Sequence, residues 1–198
     1  MLQSCNTHLH YDKETLFRDI PLKTVTLEPE RLGTFMATHA VPDPAGSCDI
    51  YFIELFGKFR KYNCATGNIE DLVDLKPELG IVHAGFDTET QLYEDKYNGL
   101  LGLALTSDFA SSQEYYISYS TSADSLSASE QESLLSACGM ADTVINHFDN
   151  VVHCKNLACT DKDVLFQIPN PGFWHNGGEI ILDGTDLYLA IGDAGGRW

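Results

Sequence analysis

A chain of 198 residues is long enough to bury one sizeable core. With 12 Lys and Arg against 29 Asp and Glu, its net charge of -17 argues against a nucleic-acid surface or an anionic membrane as partner. The acidic residues are scattered, which reads as a solvated surface, with calcium binding as the sharper alternative.

The N-terminal segment "MLQSCNTHLHYDKETLF" lacks the apolar core of about 7 to 15 residues that a secretion signal needs. Cys5, His8 and His10 have metal-compatible spacing without an evident fourth ligand, so a loosely ordered terminus is the preferred reading over zinc. Residues 1–47 are read as an N-terminal extension with an opening strand, closed by the turn-rich "VPDPAGS" at 41–47. "DIYFIELF" (49–56), Gly57, "KFRKYNC" (58–64) and the turn "ATGN" (65–68) predict a hairpin rich in aromatic and β-branched residues. "IEDLVDLKPEL" is expected to close that sheet as a third strand plus loop.

A second unit opens at "NGLLGLALTSDF" (98–109), whose short, Gly-punctuated apolar run suits a buried inner strand. "EYYISYST" (114–121) alternates as a strand does. Residues 122–139 are polar and Ser-rich, with helical character at the end, and are read as an insertion loop. "ADTVINHF" (141–148) is expected to be the next strand, "DNVVHCKNLACTDKD" a disulfide-pinned loop, and "VLFQIPN" (164–170) the lead into a terminal hairpin. That hairpin, "EIILDG" and "DLYLAIG" around "DGTD", is one of the stronger signals in the chain. Short strands with frequent turns and almost no amphipathic helix mean an all-β sandwich, barrel or propeller, and two loosely similar units of about 50 residues favour the propeller.

The cysteines at 5, 48, 64, 138, 154 and 159 contain no CxxC pair, which favours disulfides in an oxidising compartment over a zinc ribbon. Cys154 with Cys159 is able to close a small loop, and the other pairings stay open. His147 and His153 flank "FDNVV" without a partner pattern and are read as structural. No P-loop, Rossmann fingerprint, GxSxG motif or N-x-S/T sequon occurs, and no apolar run reaches the length of a membrane span.

The run "NGLLGLALTSDF", then "YYISYS", then "HNGGEIILDGTDLYLAIGDAGG" resembles the glucose/sorbosone dehydrogenase family, which includes soluble glucose and aldose sugar dehydrogenases and a hedgehog-interacting-protein-like branch. The resemblance covers roughly residues 48–198 and rests on a GLLGxAxxxDF strand, an HxGG motif and a GDxG strand end in that order. It implies an all-β, six-bladed β-propeller of which this chain holds about the first 2.5 to 3 blades, and so a fragment or truncated gene model with open sheet edges prone to self-association. Its enzymatic members hold pyrroloquinoline quinone (PQQ) and calcium and oxidise a sugar at the C1 hydroxyl. Carried over, the resemblance implies His175 as the base and Asp193 as the carboxylate that orients it, with Asn98, Gly99, Trp174, Asn176 and Gly177 beside the cofactor.

The motif glycines, Gly177 and Gly178, are expected to leave room for a planar cofactor. Two departures accompany the match. Tyr97-Asn98 stands where PQQ-dependent members commonly have Gln, and Arg197 is the only basic residue near the terminal motif. Metal ligands are not assigned by the sequence. The expected location is extracellular or periplasmic, and the alternative function is a non-catalytic secreted binding module of the hedgehog-interacting-protein-like type.

Overall fold

The computed structural model describes residues 37–81, 85–87, 92–94, 99–123, 126–137, 139, 147–170 and 177–192. The cysteines at 5 and 138, the zinc candidates His8 and His10, and most of the expected strand 141–148 lie outside them.

The first sheet has strands in sequence order: β1 (Ala37–Pro42), β2 (Ile50–Glu54), β3 (Lys58–Asn63) and β4 (Asn68–Asp74), every neighbour antiparallel. The turn after β1 is built by Asp43, whose carboxylate accepts from the Ala45 amide at 3.1 Å and from the Ser47 hydroxyl. Asn63 closes the β3–β4 turn by accepting from the amides of Ala65 and Thr66. The loop expected after β4 contains one helical turn, α1 (Lys76–Leu79), which Pro77 starts and Gly80, with φ 64°, stops. Two short strands, β5 (Gly85–Asp87) and β6 (Leu92–Glu94), form a separate pair.

The second sheet runs in the order β10-β9-β8-β7, again antiparallel throughout: β7 (Gly99–Leu105), β8 (Tyr115–Ser122), β9 (His147–Cys154) and β10 (Lys162–Asn170). A helical turn, α2 (Phe109–Ser112), connects β7 to β8. Two expectations need correction here. The stretch read as an insertion loop holds a ten-residue helix, α3 (Ala128–Ala137). Ser127 and Glu130 cap it reciprocally: the Ser127 amide donates to Glu130 at 2.8 Å and the Glu130 amide to Ser127 Oγ. Its Leu134 and Leu135 pack on Ala123 and Phe148.

The stretch "DNVVHC", read as part of a loop, is instead most of β9. Its alternation is masked by Asn150, which is buried among apolar neighbours because its amide donates to Phe148 O at 2.9 Å and Thr121 Oγ1 at 3.2 Å. The pinned loop is shorter than expected. It follows β9 and is closed by the disulfide Cys154–Cys159, while a second disulfide, Cys48–Cys64, ties the β1–β2 turn to the end of β3.

The core fills the space between the two four-stranded sheets. Ile53 and Phe59 from the first meet Leu100, Leu103, Tyr115, Ile117 and Val152 from the second. At its centre Tyr51, Phe59, Phe109 and Tyr115 form an aromatic cluster with centroids 5.1 to 6.2 Å apart, mostly tilted or edge-on. Burial pushes the Tyr115 phenol well above its ordinary range, and its hydroxyl donates to Leu157 O at 2.8 Å. The terminal hairpin, β11 (Gly177–Asp183) and β12 (Asp186–Ile191), forms as the sequence predicts and turns through Gly184 at φ 62°. Strand β7 packs against both β1 and β11, so the chain is mostly antiparallel sheet arranged side by side, consistent with part of a propeller; among the described residues nothing closes into a ring.

Candidate active site

Three strands carry the residues singled out in the sequence, and their glycines set how close those strands stand. At Gly99, φ is 147° and a Cβ would run into the carbonyl oxygen of Leu55, to which the Leu100 amide donates at 3.1 Å. At Gly102 a Cβ would collide with Gly178 O, and at Gly178 (φ 101°) with the Leu101 side chain. The room expected for a planar cofactor beside Gly177 and Gly178 is therefore filled on the Cβ side by protein: Leu101 at Gly178, and at Gly177 the backbone at the end of β12, with Ala190 O at 2.7 Å, and of Gly192 just beyond it, with N at 2.6 Å. The hairpin is fastened to the second sheet by a hydrogen bond from Ser118 Oγ to Gly178 O. On its other side, His39 Nδ1 of β1 stands 3.4 Å from Glu179 Oε2 of the hairpin.

Within the hairpin Gly177 pairs with Ile191, after a register shift between Gly177 and Ile180. The strand that follows the HNGG motif thus begins beside the strand end that precedes Asp193. Gly99 and Gly177, both expected near the cofactor, each sit at the start of a strand. His175, Asp193, Trp174, Asn176 and Asn98 lie outside the described residues.

A polar layer that sequence reasoning missed lies on the second sheet's face opposite the aromatic cluster. Alternation along β8 and β9 puts Ser118, Ser120 and Ser122 on this face with His147, Asp149 and Val151, and Ser120 stands directly across from Asp149. Asn170 Nδ2 donates to Asp149 Oδ2 at 2.8 Å, and His147 Nε2 stands 3.7 Å from Asp149 Oδ1. Burial pushes the Asp149 carboxyl above the usual carboxylate range, against the opposing pull of Asn170, His147 and Ser120. On the core side, burial drives Tyr119 up to about 12. The only signal in the sequence was polar residues inside otherwise apolar strand runs, a pattern that identifies no chemistry by itself. His147 and His153, read as structural, are each built into the sheet. His147 is buried, and His153 stacks on Tyr116 at 4.5 Å and meets Glu114 at 3.0 Å.

Among the described residues, none of the strands β1, β7, β11 and β12 carries a Lys or Arg. Lys58 and Arg60 pair with Asp71, Lys61 with Asp49, and Lys155 with Asp163, while Lys76 and Lys162 lie on α1 and at the start of β10. A carboxylated quinone needs such partners, so the described residues alone do not fit PQQ. Cys48, Asp49 and Cys64 converge, but both thiols are consumed by their disulfide and the Asp49 carboxylate is taken by Lys61 and the Cys64 amide. No described helix is long and apolar enough to cross a membrane.

No protein-family model and no curated protein matches the chain. Solved structures do. A glucose dehydrogenase is similar over 83% of this chain and 43% of its own, with a TM-score of 0.50 and 19% identity. The PQQ-bound aldose sugar dehydrogenase from Streptomyces coelicolor matches over 82% and 41%, at 0.45 and 20%. The soluble aldose sugar dehydrogenase from Escherichia coli in its apo form matches over 78% and 36%, at 0.45 and 20%. The chain spans less than half the length of these structures. At such identity the likeness is one of fold, and the fold it shares is that of the glucose dehydrogenase.

Proposed function

We propose that residues 48–198 are part of a propeller-type sugar dehydrogenase domain that oxidises an aldose at its C1 hydroxyl, with His175 as the base and Asp193 as the carboxylate that holds it. The observation that supports this reading most is the pairing of Gly177 with Ile191. Only Asn176 lies between Gly177 and His175 in the sequence, and only Gly192 between Ile191 and Asp193, so each candidate residue is two positions from a paired strand residue. An imidazole titrates near neutral pH, and a carboxylate on its far nitrogen fixes the tautomer and stabilises the imidazolium that forms when the hydroxyl proton is taken. PQQ and calcium are the cofactors the resemblance implies. No step is drawn through them, because the described strands bring no cation to a quinone carboxylate.

The test is dye-linked oxidation of a panel of aldoses by the chain supplied with PQQ and calcium, comparing wild type with His175→Ala and Asp193→Asn. Loss of turnover by about 100-fold or more in both, with circular dichroism unchanged, is the expected result. Turnover that survives in His175→Ala removes the assignment.

The absence of Lys and Arg from β1, β7 and β11 favours a second reading, a non-catalytic secreted binding module. It predicts no PQQ binding by calorimetry. The two disulfides support an extracellular or periplasmic location under either reading. The exposed Val164, Leu165 and Phe166 on the outer strand β10 support self-association through a sheet edge.

A further inference from the structure

Cys48 precedes β2 and Cys64 follows β3, at the end of the ladder where Ile50 pairs with Tyr62. Their Cα atoms are 5.7 Å apart and their sulfurs are joined. Asp49 is held beside them: Oδ1 of its carboxylate accepts from the Cys64 amide at 3.0 Å, and Oδ2 meets Lys61 Nζ at 2.7 Å. The two sulfurs and a carboxylate oxygen all lie within 4.8 Å of one another, close enough to share one ion at the roughly 2.0 to 2.3 Å that zinc keeps from oxygen and sulfur ligands. The two disulfides also differ in access. Cys48 is exposed, whereas Cys154 and Cys159 are fully buried. Thiol exchange requires the attacking sulfur to reach the bond, so the first is open to it and the second is shielded.

We infer that Cys48, Cys64 and Asp49 form a redox-gated zinc site, closed while the disulfide stands and opened when a small dithiol reduces it. The dithiol supplies two electrons: the Cys48–Cys64 bond breaks, the two sulfurs of the dithiol join in a disulfide of their own, and their two protons pass to the freed thiols. Zinc then displaces those protons to solvent and takes both thiolates and one Asp49 oxygen, with water in the fourth position. Opening the bond does not scatter the ligands, because the β2–β3 pairing and the Asp49 bond to the Cys64 amide do not depend on it. Two thiolates select zinc over calcium or magnesium. Lys61 and the Cys64 amide hold the Asp49 carboxyl below the usual carboxylate range, so it is ionised when a metal arrives. A carboxylate oxygen accepts more than one partner, so Lys61 and the metal are able to share it. Zinc with two thiolates and a carboxylate carries a single negative charge, which Lys61 offsets.

The test adds cobalt(II), which substitutes for zinc and is coloured when thiolates bind it, to the full chain before and after treatment with a phosphine reductant that carries no thiol. The expected result is a thiolate-to-cobalt absorption band, abolished by added zinc, in the reduced chain and no band in the oxidised chain. Cys48→Ser with Cys64→Ser removes the band although Cys5 and Cys138 remain, and Cys154→Ala with Cys159→Ala retains it. Asp49→Asn, which keeps both thiols, weakens the apparent affinity by at least the roughly tenfold that even a partner behind a ligand is worth. No cobalt uptake by the reduced chain, folded or not, overturns the inference. A band that survives the paired Cys48 and Cys64 substitutions overturns it too, since the metal then sits on other cysteines. An affinity unchanged in Asp49→Asn does the same.

Discussion

Ser118 donates its hydroxyl to the carbonyl of Gly178, joining the middle of the second sheet to the start of the terminal hairpin in a buried position. Ser118→Ala leaves that carbonyl without its partner, and a buried unsatisfied acceptor costs about 1 to 3 kcal/mol. Hydrogen exchange is expected to speed up first in residues 177–191 and to change little in β2 and β3. Uniform acceleration across the chain would show that the hairpin is not fastened there.

Gly102 faces the same contact from β7, and a Cβ there would collide with Gly178 O. Gly102→Ala is expected to lower stability by about 1 to 3 kcal/mol in urea unfolding, as other overpacked sites do. Gly46→Ala is a useful contrast. Nothing stands within 4 Å of its Cβ position, so its penalty comes only from the positive φ of 82°. An unchanged urea midpoint in Gly102→Ala would mean that β7 and β11 are able to part without loss.

The two disulfides close loops of unequal length, 16 residues for Cys48–Cys64 and 5 for Cys154–Cys159. The loop-entropy account assigns about 3 kcal/mol to the longer and about 2 kcal/mol to the shorter. Paired Cys→Ala variants measured under identical denaturant conditions check the order. A larger loss from the shorter loop would point to the packing of Cys154 and Cys159, both fully buried, rather than to chain entropy.

Asp149 gives a pH signature with a definite sign. Its carboxyl is raised in the folded protein, chiefly by burial, so the stability it contributes is fully present below the unfolded value of about 3.8 and falls as pH rises through the folded value. Asp49 and Asp71 act in the opposite sense. Lys61 and the Cys64 amide lower the first and Lys58 lowers the second, so their share is lost as pH falls below about 3.8. At constant ionic strength, wild type minus Asp149→Asn therefore isolates Asp149, and that difference is expected to shift against wild type as pH rises above about 3.8. A difference independent of pH would show the carboxylate to be as well solvated folded as unfolded.

Local pattern was enough for much of this protein. The runs at 49–56, 58–64 and 114–121 and the terminal hairpin gave strands because aromatic and β-branched residues recur there between turn residues, and Gly99–Leu105 did so as a short, Gly-punctuated apolar run. The reading failed where a polar residue interrupts an apolar strand, at Asn150 in β9, and where a helix depends on a Ser-x-x-Glu cap rather than an apolar face, at Ser127 and Glu130. The motif order from "GLLGLAL" to "HNGG" and "GDAGG" was legible too, and it pointed to the fold that the glucose dehydrogenase shares.

What tertiary structure alone decided is which residues meet. Gly102 lies 76 positions from Gly178, and Ser120 lies 29 from Asp149, so neither separation falls within the reach of a helix or strand period. The glycines that looked like space for a cofactor are filled on their Cβ sides by neighbouring strands. The buried carboxylate was invisible in the sequence, because its character comes from burial beneath the hairpin and from Asn170, His147 and Ser120, none of which a one-dimensional pattern brings to it.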